Sequence, residues 1–159
     1  MRVAVLTISD AGARGERADA SGDAIVAWVA GRGDKVVERT LVADEPEQIG
    51  RVLRRWADED LADLALTTGG TGLAARDVTP EATRAVLEKE APGIAEALRF
   101  VAYPRFPRAA LSRGLAGVRK RTLIINLPGS PGGVRDGLGI LADIVEHAVA
   151  LVRGERTEH

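Results

Sequence analysis

The chain has 159 residues, is 45% hydrophobic and carries a net charge of -1, which suits one compact domain with a real core and gives no electrostatic pull toward nucleic acid or an anionic membrane. It has no cysteine and only two histidines, His147 and His159, which excludes disulfides and thiolate zinc sites and disfavours a multi-histidine metal centre or a Ser-His-Asp triad. Any metal would be a hard cation on oxygen ligands, such as magnesium.

No apolar run approaches the roughly 20 residues of a membrane span. The opening MRVAVLTISD lacks the hydrophobic core and small-residue cleavage site of a signal peptide, so a cytoplasmic protein is expected. RVAVLTIS (2–9) is a continuous apolar and β-branched run, which predicts a buried, parallel strand. A polar, glycine-containing segment follows, with Asp19 or Ser21 as the cap of a helix that carries Ile25, Val26 and Val29. KVVERTLV (35–42) is a second strand. Pro46 opens an amphipathic helix with Ile49, Val52, Leu53 and Trp56 on one face.

DLALTT (63–68) is a third strand, and it ends at Gly69-Gly70-Thr71-Gly72. Thr79 and Pro80 predict the next helix start, Thr79 as N-cap and Pro80 at the first position. Prolines at 92, 104 and 107 bound a helix over 93–103, and Phe100, Tyr103 and Phe106 gather beside it. AGVRKRTLIINLP reads as a hairpin turning near Arg119–Arg121. NLPGSPGG is a second glycine-proline loop at a strand end. One helix from Val134 to Val152 is expected to close the fold, with His147 half-buried on it, followed by a solvated tail from residue 153. Strands alternating with helices predict an α/β domain: a mostly parallel sheet, helices on both faces, and no linker or internal repeat.

Ligands of open α/β sheets bind beyond the carboxyl ends of the strands, which is where the 69–72 loop lies. Its glycines permit positive φ and close backbone approach, and consecutive N–H groups can converge on an anion. A tight strand-to-helix turn would need the same glycines for geometry alone. Neither the Walker pattern nor the dinucleotide G-x-G-x-x-G matches. Asp77, just before the helix, and Asp44, just past the second strand, are expected at the same sheet edge. Two carboxylates beside a phosphate cradle suit magnesium-assisted phosphoryl chemistry; each alone reads first as a cap or loop carboxylate, and the pairing is what points to chemistry. Ser9, Asp10, Asp19, Ser21, Ser112, Arg113, Asn126 and the 128–133 loop add hydroxyls and donors to that edge, each also explicable as a turn or cap.

TTGGTG…RDVTPEAT, with TISD, DASG, VADE, LSRG and NLPGSP in the same order, resembles the signature of the MogA/MoaB-like molybdenum-cofactor biosynthesis family, which includes the gephyrin G domain. The resemblance spans the whole chain. It implies a three-layer α/β/α sandwich, usually trimeric. It also implies a molybdopterin adenylyltransferase that uses Mg-ATP to place AMP on the terminal phosphate of molybdopterin, releases pyrophosphate, and hands its product to a molybdenum-insertion protein. By motif, Asp44 and Asp77 are the critical aspartates and magnesium ligands. Thr68, Gly69, Gly70, Thr71, Gly72 and Ser112 contact substrate, and Ser9, Asp10, Asn126, Gly129 and Ser130 are further pocket positions. The family often has Arg where this chain has Ala11, and Pro where it has Ala43.

Two other readings stand beside the enzyme. The fold could bind molybdopterin or act as a scaffold without catalysis. The chain could also be an oligomeric interaction protein that uses the Phe100–Phe106 cluster, unless those rings are local core or loop packing. Arg76 or Arg113 is expected to offset the charge that develops on transferring phosphate.

Overall fold

A computed structural model describes residues 1–155. Six strands form one sheet in the order β2-β1-β3-β6-β5-β4. β1 (Arg2–Ile8), β2 (Lys35–Val42), β3 (Leu64–Thr68) and β6 (Thr122–Leu127) run parallel. β5 (Ala116–Arg119) is antiparallel to β6, and β4 (Lys89–Glu90) is antiparallel to β5.

The strand alternation splits the core in two. Val3, Val5, Leu64, Leu66, Leu123 and Ile125 face α2 (Ala20–Gly31), α5 (Pro92–Ala102), α6 (Pro131–Leu141) and α7 (Val145–Arg153). Ala4, Leu6, Ile8, Ala65 and Ile124 face α3 (Pro46–Asp58) and α4 (Thr79–Arg84). With both faces covered, the central strands are buried along their length and mostly apolar, with the buried polar Thr7, Thr67, Thr68 and Asn126 toward their carboxyl ends, and the result is the expected three-layer sandwich with an antiparallel edge. Among the described residues no helix is long and apolar enough to cross a membrane.

The remaining elements refine the sequence expectations. α3 begins at Pro46 and buries Ile49, Leu53 and Trp56. Asp19 rather than Ser21 caps α2, accepting from the Gly22 N–H at 2.9 Å. The polar segment after β1 holds an unexpected short helix, α1 (Asp10–Ala13), capped by Ser9. A 3-10 turn (Pro107–Leu111) follows α5. At α4 the cap is Val78, so Thr79 is the first helical residue and Pro80 the second. The Thr79 hydroxyl is buried and donates to Gly69 O at 2.9 Å instead of capping the helix. The single C-terminal helix is two helices separated at Ala142–Ile144. Leu141, Val145 and Val149 remain buried across the break, so the apolar spacing is the same for both arrangements, and no Gly or Pro marks the division. His147 is exposed on α7. Arg153 completes α7 before Gly154 caps it in the left-handed conformation, and residues 156–159 of the expected tail, with His159, lie outside the described residues.

Candidate functional site

The loop after β3 is shaped by what its glycines meet. Gly69 has φ +100°, and a Cβ there would stand 2.2 Å from Ile8 O of the neighbouring strand. Gly70 has φ +65°, and a Cβ would meet Thr79 Oγ1 at 2.4 Å and Asp44 Oδ1 at 3.0 Å. At Gly72 φ is ordinary, but a Cβ would come within 2.8 Å of Asp77 Oδ2. Two of these glycines are therefore needed by the backbone turn, while Gly70 and Gly72 also make room for the two aspartates. Carboxylates from separate crossovers lie against one glycine loop, as the sequence predicts.

The hydrogen bonding of this loop runs one way. Gly69 O accepts from the Thr79 hydroxyl and Gly70 O from the Thr79 amide at 3.1 Å. Thr71 O accepts from the Arg113 amide and Gly72 O from Arg113 Nε, each at 2.8 Å. Four consecutive carbonyls thus point into the protein. Across a trans peptide the C=O and the following N–H point in opposite directions, so the amides of residues 70–73 turn the other way. Among the described residues the amides of Gly70, Thr71 and Gly72 donate to no protein acceptor. Outward N–H groups in series form an anion nest.

That nest borders a cavity of about 310 Å³ at the carboxyl ends of β3 and β6. Gly70, Thr71, Gly72, Asp77, Ser112, Asn126, Gly129 and Ser130 all lie on its wall, as expected from the sequence. Opposite them stand Leu98, Arg99, Ala102 and Phe106 from α5 and its C-terminal extension, with Asp136 and Gly137 from α6. The cavity therefore combines the polar loops with an apolar patch of Ala95, Leu98, Ala102 and Phe106, at whose margin stand the charged Arg99, Arg108 and Asp136. Sequence reasoning missed this apolar patch; its only signal was the aromatic cluster, read as an interface or local packing. Phe106 lines the cavity, while Phe100 is 73% exposed and Tyr103 52%, so these rings do not pack as core.

Thr68, Ser21, Gly69, Ser9, Asp10 and Asp44, all expected at this edge, stand outside the cavity wall. Thr68 donates its hydroxyl to Pro128 O at 2.6 Å, and Ser21 of α2 donates to Gly129 O at 2.7 Å, so two hydroxyls pin the second glycine loop, one to the end of β3 and one to α2. Gly69 lies behind the nest, where a Cβ on Gly129 would touch its Cα at 3.3 Å. Ser9 caps α1. Asp10 and Asp44 clasp each other: the Asp10 amide donates to Asp44 Oδ2 at 2.8 Å, and the Asp44 amide to Asp10 Oδ1 at 3.0 Å. Asn126, though it touches the cavity, spends its side chain inward. Its Nδ2 donates to Thr67 Oγ1 at 2.9 Å and Thr83 Oγ1 at 3.0 Å, and its Oδ1 accepts from the Leu115 amide at 3.0 Å.

The acidic groups differ electrostatically. Hydrogen bonds from Arg76 and from the Asp44 amide hold the Asp10 carboxyl below the usual range. Burial pushes the Asp44 carboxyl up, the charges of Asp10 and Asp77 add to this, and the Asp10 amide only partly opposes it. Asp77 Oδ2 accepts from the Ala74 amide at 2.9 Å. Both candidate arginines are occupied. Arg76 pairs with Asp10 and Glu45. Arg113 bonds Gly72 O, Asp77 O and the Glu81 carboxylate. No group of three or more His, Cys, Asp or Glu among the described residues is arranged to hold a metal by itself. Two half-buried carboxylates beside an anion nest fit a cation whose other ligands arrive with a phosphorylated ligand, which is how magnesium is commonly held.

Residues 4–147 match the family described as "Probable molybdopterin binding domain". Over 97% of its length the chain is 40% identical to 89% of a molybdopterin adenylyltransferase of Helicobacter pylori J99. Among solved structures, the molybdopterin biosynthesis enzyme MoaB of Thermus thermophilus is 54% identical with a TM-score of 0.92, covering 99% of both chains. The molybdopterin biosynthesis Mog protein of Mycobacterium ulcerans is 43% identical with a TM-score of 0.89, covering 94% of this chain and 97% of that one. With a family match over residues 4–147 and relatives at 40% identity or more across nearly the whole chain, the chain belongs to the molybdopterin-binding, molybdenum-cofactor biosynthesis family.

Proposed function

We propose that the protein is a molybdopterin adenylyltransferase of molybdenum-cofactor biosynthesis. The observation that carries this reading is the nest of outward amides at Gly70–Gly72, bordered by Asp44 and Asp77 and opening on the cavity. A terminal phosphate of molybdopterin suits the nest, and its ring system suits the apolar wall of Leu98, Ala102 and Phe106. An oxygen of that phosphate attacks the α-phosphorus of ATP in line. A new P–O bond forms, the bond to the bridging oxygen breaks, and pyrophosphate leaves. The attacking phosphate is already ionised, so no side-chain base is needed. The loop amides meet charge that spreads onto the phosphoryl oxygens.

Asp44 and Asp77 would hold magnesium, directly or through water, which when bound would offset phosphate charge and align the two reacting groups. Neither Arg76 nor Arg113 has a free guanidinium for the developing charge, so that role would go to the loop amides together with Arg99 and Arg108, which line the cavity. The exposed Phe100 and Tyr103 suit burial between copies in a homotrimer, a cytoplasmic location suits the substrates, and product transfer would go to a molybdenum-insertion protein.

Pyrophosphate release from Mg-ATP and molybdopterin tests the reading. Turnover that requires both substrates and falls roughly 100- to 1,000-fold in Asp77→Ala, with molybdopterin still bound, is the expected result. A protein that binds the pterin yet releases no pyrophosphate would belong to the binding-only alternative.

A further inference from the structure

Ser112 and Arg113 are neighbours with different surroundings. Ser112 is on the cavity wall and Arg113 is not. From behind the loop, Arg113 reaches it at several points. Its amide donates to Thr71 O, its Nε to Gly72 O and its Nη2 to Asp77 O, each at 2.8 Å. Its Nη1 pairs with the carboxylate of Glu81, the glutamate of the TPEAT stretch. One guanidinium therefore spans both ends of the 72–77 segment, and Glu81 fixes the guanidinium. Within that segment the Asp77 amide donates to Ala74 O and the Ala74 amide to Asp77 Oδ2, both at 2.9 Å, which closes a small ring that carries the carboxylate.

The consequence follows from peptide planarity. Holding Gly72 O turns the Leu73 amide away from Arg113, and holding Asp77 O fixes the backbone from which the Asp77 side chain projects. We infer that Arg113, braced by Glu81, is a positioning residue that orients the last amides of the anion nest and the Asp77 carboxylate without touching substrate. This rests on the adenylylation reading for the chemistry it serves; the clamp itself is independent of it. Arginine is required because its planar fork presents five donors in fixed directions, whereas a lysine ammonium is a single point that cannot reach two carbonyls and a carboxylate in one plane.

Arg113→Ala, Arg113→Lys and Glu81→Gln in the full chain test this by three measurements: hydrogen exchange of the 72–78 amides, the magnesium half-saturation of pyrophosphate release, and kcat against KM for molybdopterin. In Arg113→Ala, exchange of the hydrogen-bonded Ala74 and Asp77 amides should speed at least ~10-fold, and kcat should fall ~10- to 100-fold, as expected for a displaced group. The magnesium half-saturation should rise, and KM for molybdopterin should rise by less than kcat falls, because the last nest amides are loosened while the rest of the cavity lining is untouched. Arg113→Lys should recover part of kcat, and Glu81→Gln should move every readout the same way by less. Should the alanine variant not fold, the other two carry the test.

Faster exchange with parental kcat and magnesium dependence would overturn the positioning role, and unchanged exchange would overturn the clamp. If the parent itself released no pyrophosphate, the adenylylation reading would fall separately. The clamp would then be decided by exchange and by Mn2+ affinity, and parental values of both in Arg113→Lys and Glu81→Gln would refute it.

Discussion

The two ends of the same sheet treat carboxylates in opposite ways. At the amino-terminal edge of the strands, Asp63 is almost enclosed. Burial pushes its carboxyl up, but hydrogen bonds from the Arg2 side chain and amide outweigh this and hold it low. Arg2 Nη2 and amide each reach it at 2.7 Å, and Arg153 lies 3.4 Å away. Asp60 is likewise held low, first by Arg153 and then by Arg2. At the carboxyl-terminal edge, Asp44 has one amide donor and no cation, and its carboxyl is pushed up. Arg76, the nearby cation, is taken by Asp10 and Glu45. A concave polar surface exists at both ends, but only one keeps a carboxylate short of positive charge. That difference separates an ion-pair network serving the fold from a site prepared for a cation.

The sharpest way to break this comparison is at Asp77. Asp77→Ala should lower kcat by roughly 100- to 1,000-fold, on the scale of losing one preorganised electrostatic group, and should change molybdopterin affinity by less than about threefold. Steady-state pyrophosphate release alongside equilibrium binding would check it, and parental turnover would remove the carboxyl-terminal edge from the chemistry. The backbone beneath the site comes next. Gly69→Ala places a Cβ 2.2 Å from Ile8 O at φ +100°, which should cost about 2–4 kcal/mol in denaturant unfolding. Gly129→Ala meets its first neighbour at 3.3 Å and should be far milder. Equal losses would mean the crossing at Ile8 is softer than it looks.

At the opposite edge, Asp63→Ala strands Arg2 and the Arg2 amide. The expected loss is roughly 1.5–3 kcal/mol at neutral pH, with activity per folded molecule unchanged. The Asp63 carboxyl is held below its ordinary value of 3.8. Its contribution is therefore complete above that value and disappears as pH falls through the lower folded-state value. The gap between parent and variant should close in acid, and a gap that persisted there would argue against the ion pairs as its source.

Much of this was legible in the chain. Apolar runs such as RVAVLTIS and DLALTT mark buried parallel strands because both sheet faces are covered. The signature loop announces positive φ, and the positions of Asp44 and Asp77 after successive strands place them at one edge by topology alone. What stayed hidden depended on tertiary partners. Thr79 looks like a cap, but its hydroxyl has a better acceptor in Gly69 O. Arg113 looks like a cation for phosphate, but two carbonyls and Glu81 claim its donors, and no spacing rule encodes that. The apolar cavity wall is built from α5 and α6, which are distant in sequence and whose glycines and alanines carry no chemical signal. The break at Ala142–Ile144 leaves the 3.6-residue stripe intact, so periodicity could not reveal it.

The smallest effect cuts against intuition, because here losing the carboxylate should help the fold. Asp44→Asn keeps an oxygen for the Asp10 amide and removes a charge that burial, Asp10 and Asp77 all disfavour. A folded-state value above the unfolded one means that ionised Asp44 costs stability at neutral pH. That cost shrinks as pH falls through the folded value and is gone below the ordinary 3.8. The asparagine variant should therefore be about 0.5–1 kcal/mol more stable than the parent near pH 7, equal to it in strong acid, and nearly inactive throughout. Thermal unfolding across pH would show the two curves converging on the acid side. A variant less stable at pH 7 would mean that Asp44 is satisfied by the fold, as Asp63 is, and the contrast between the two edges would no longer identify the site.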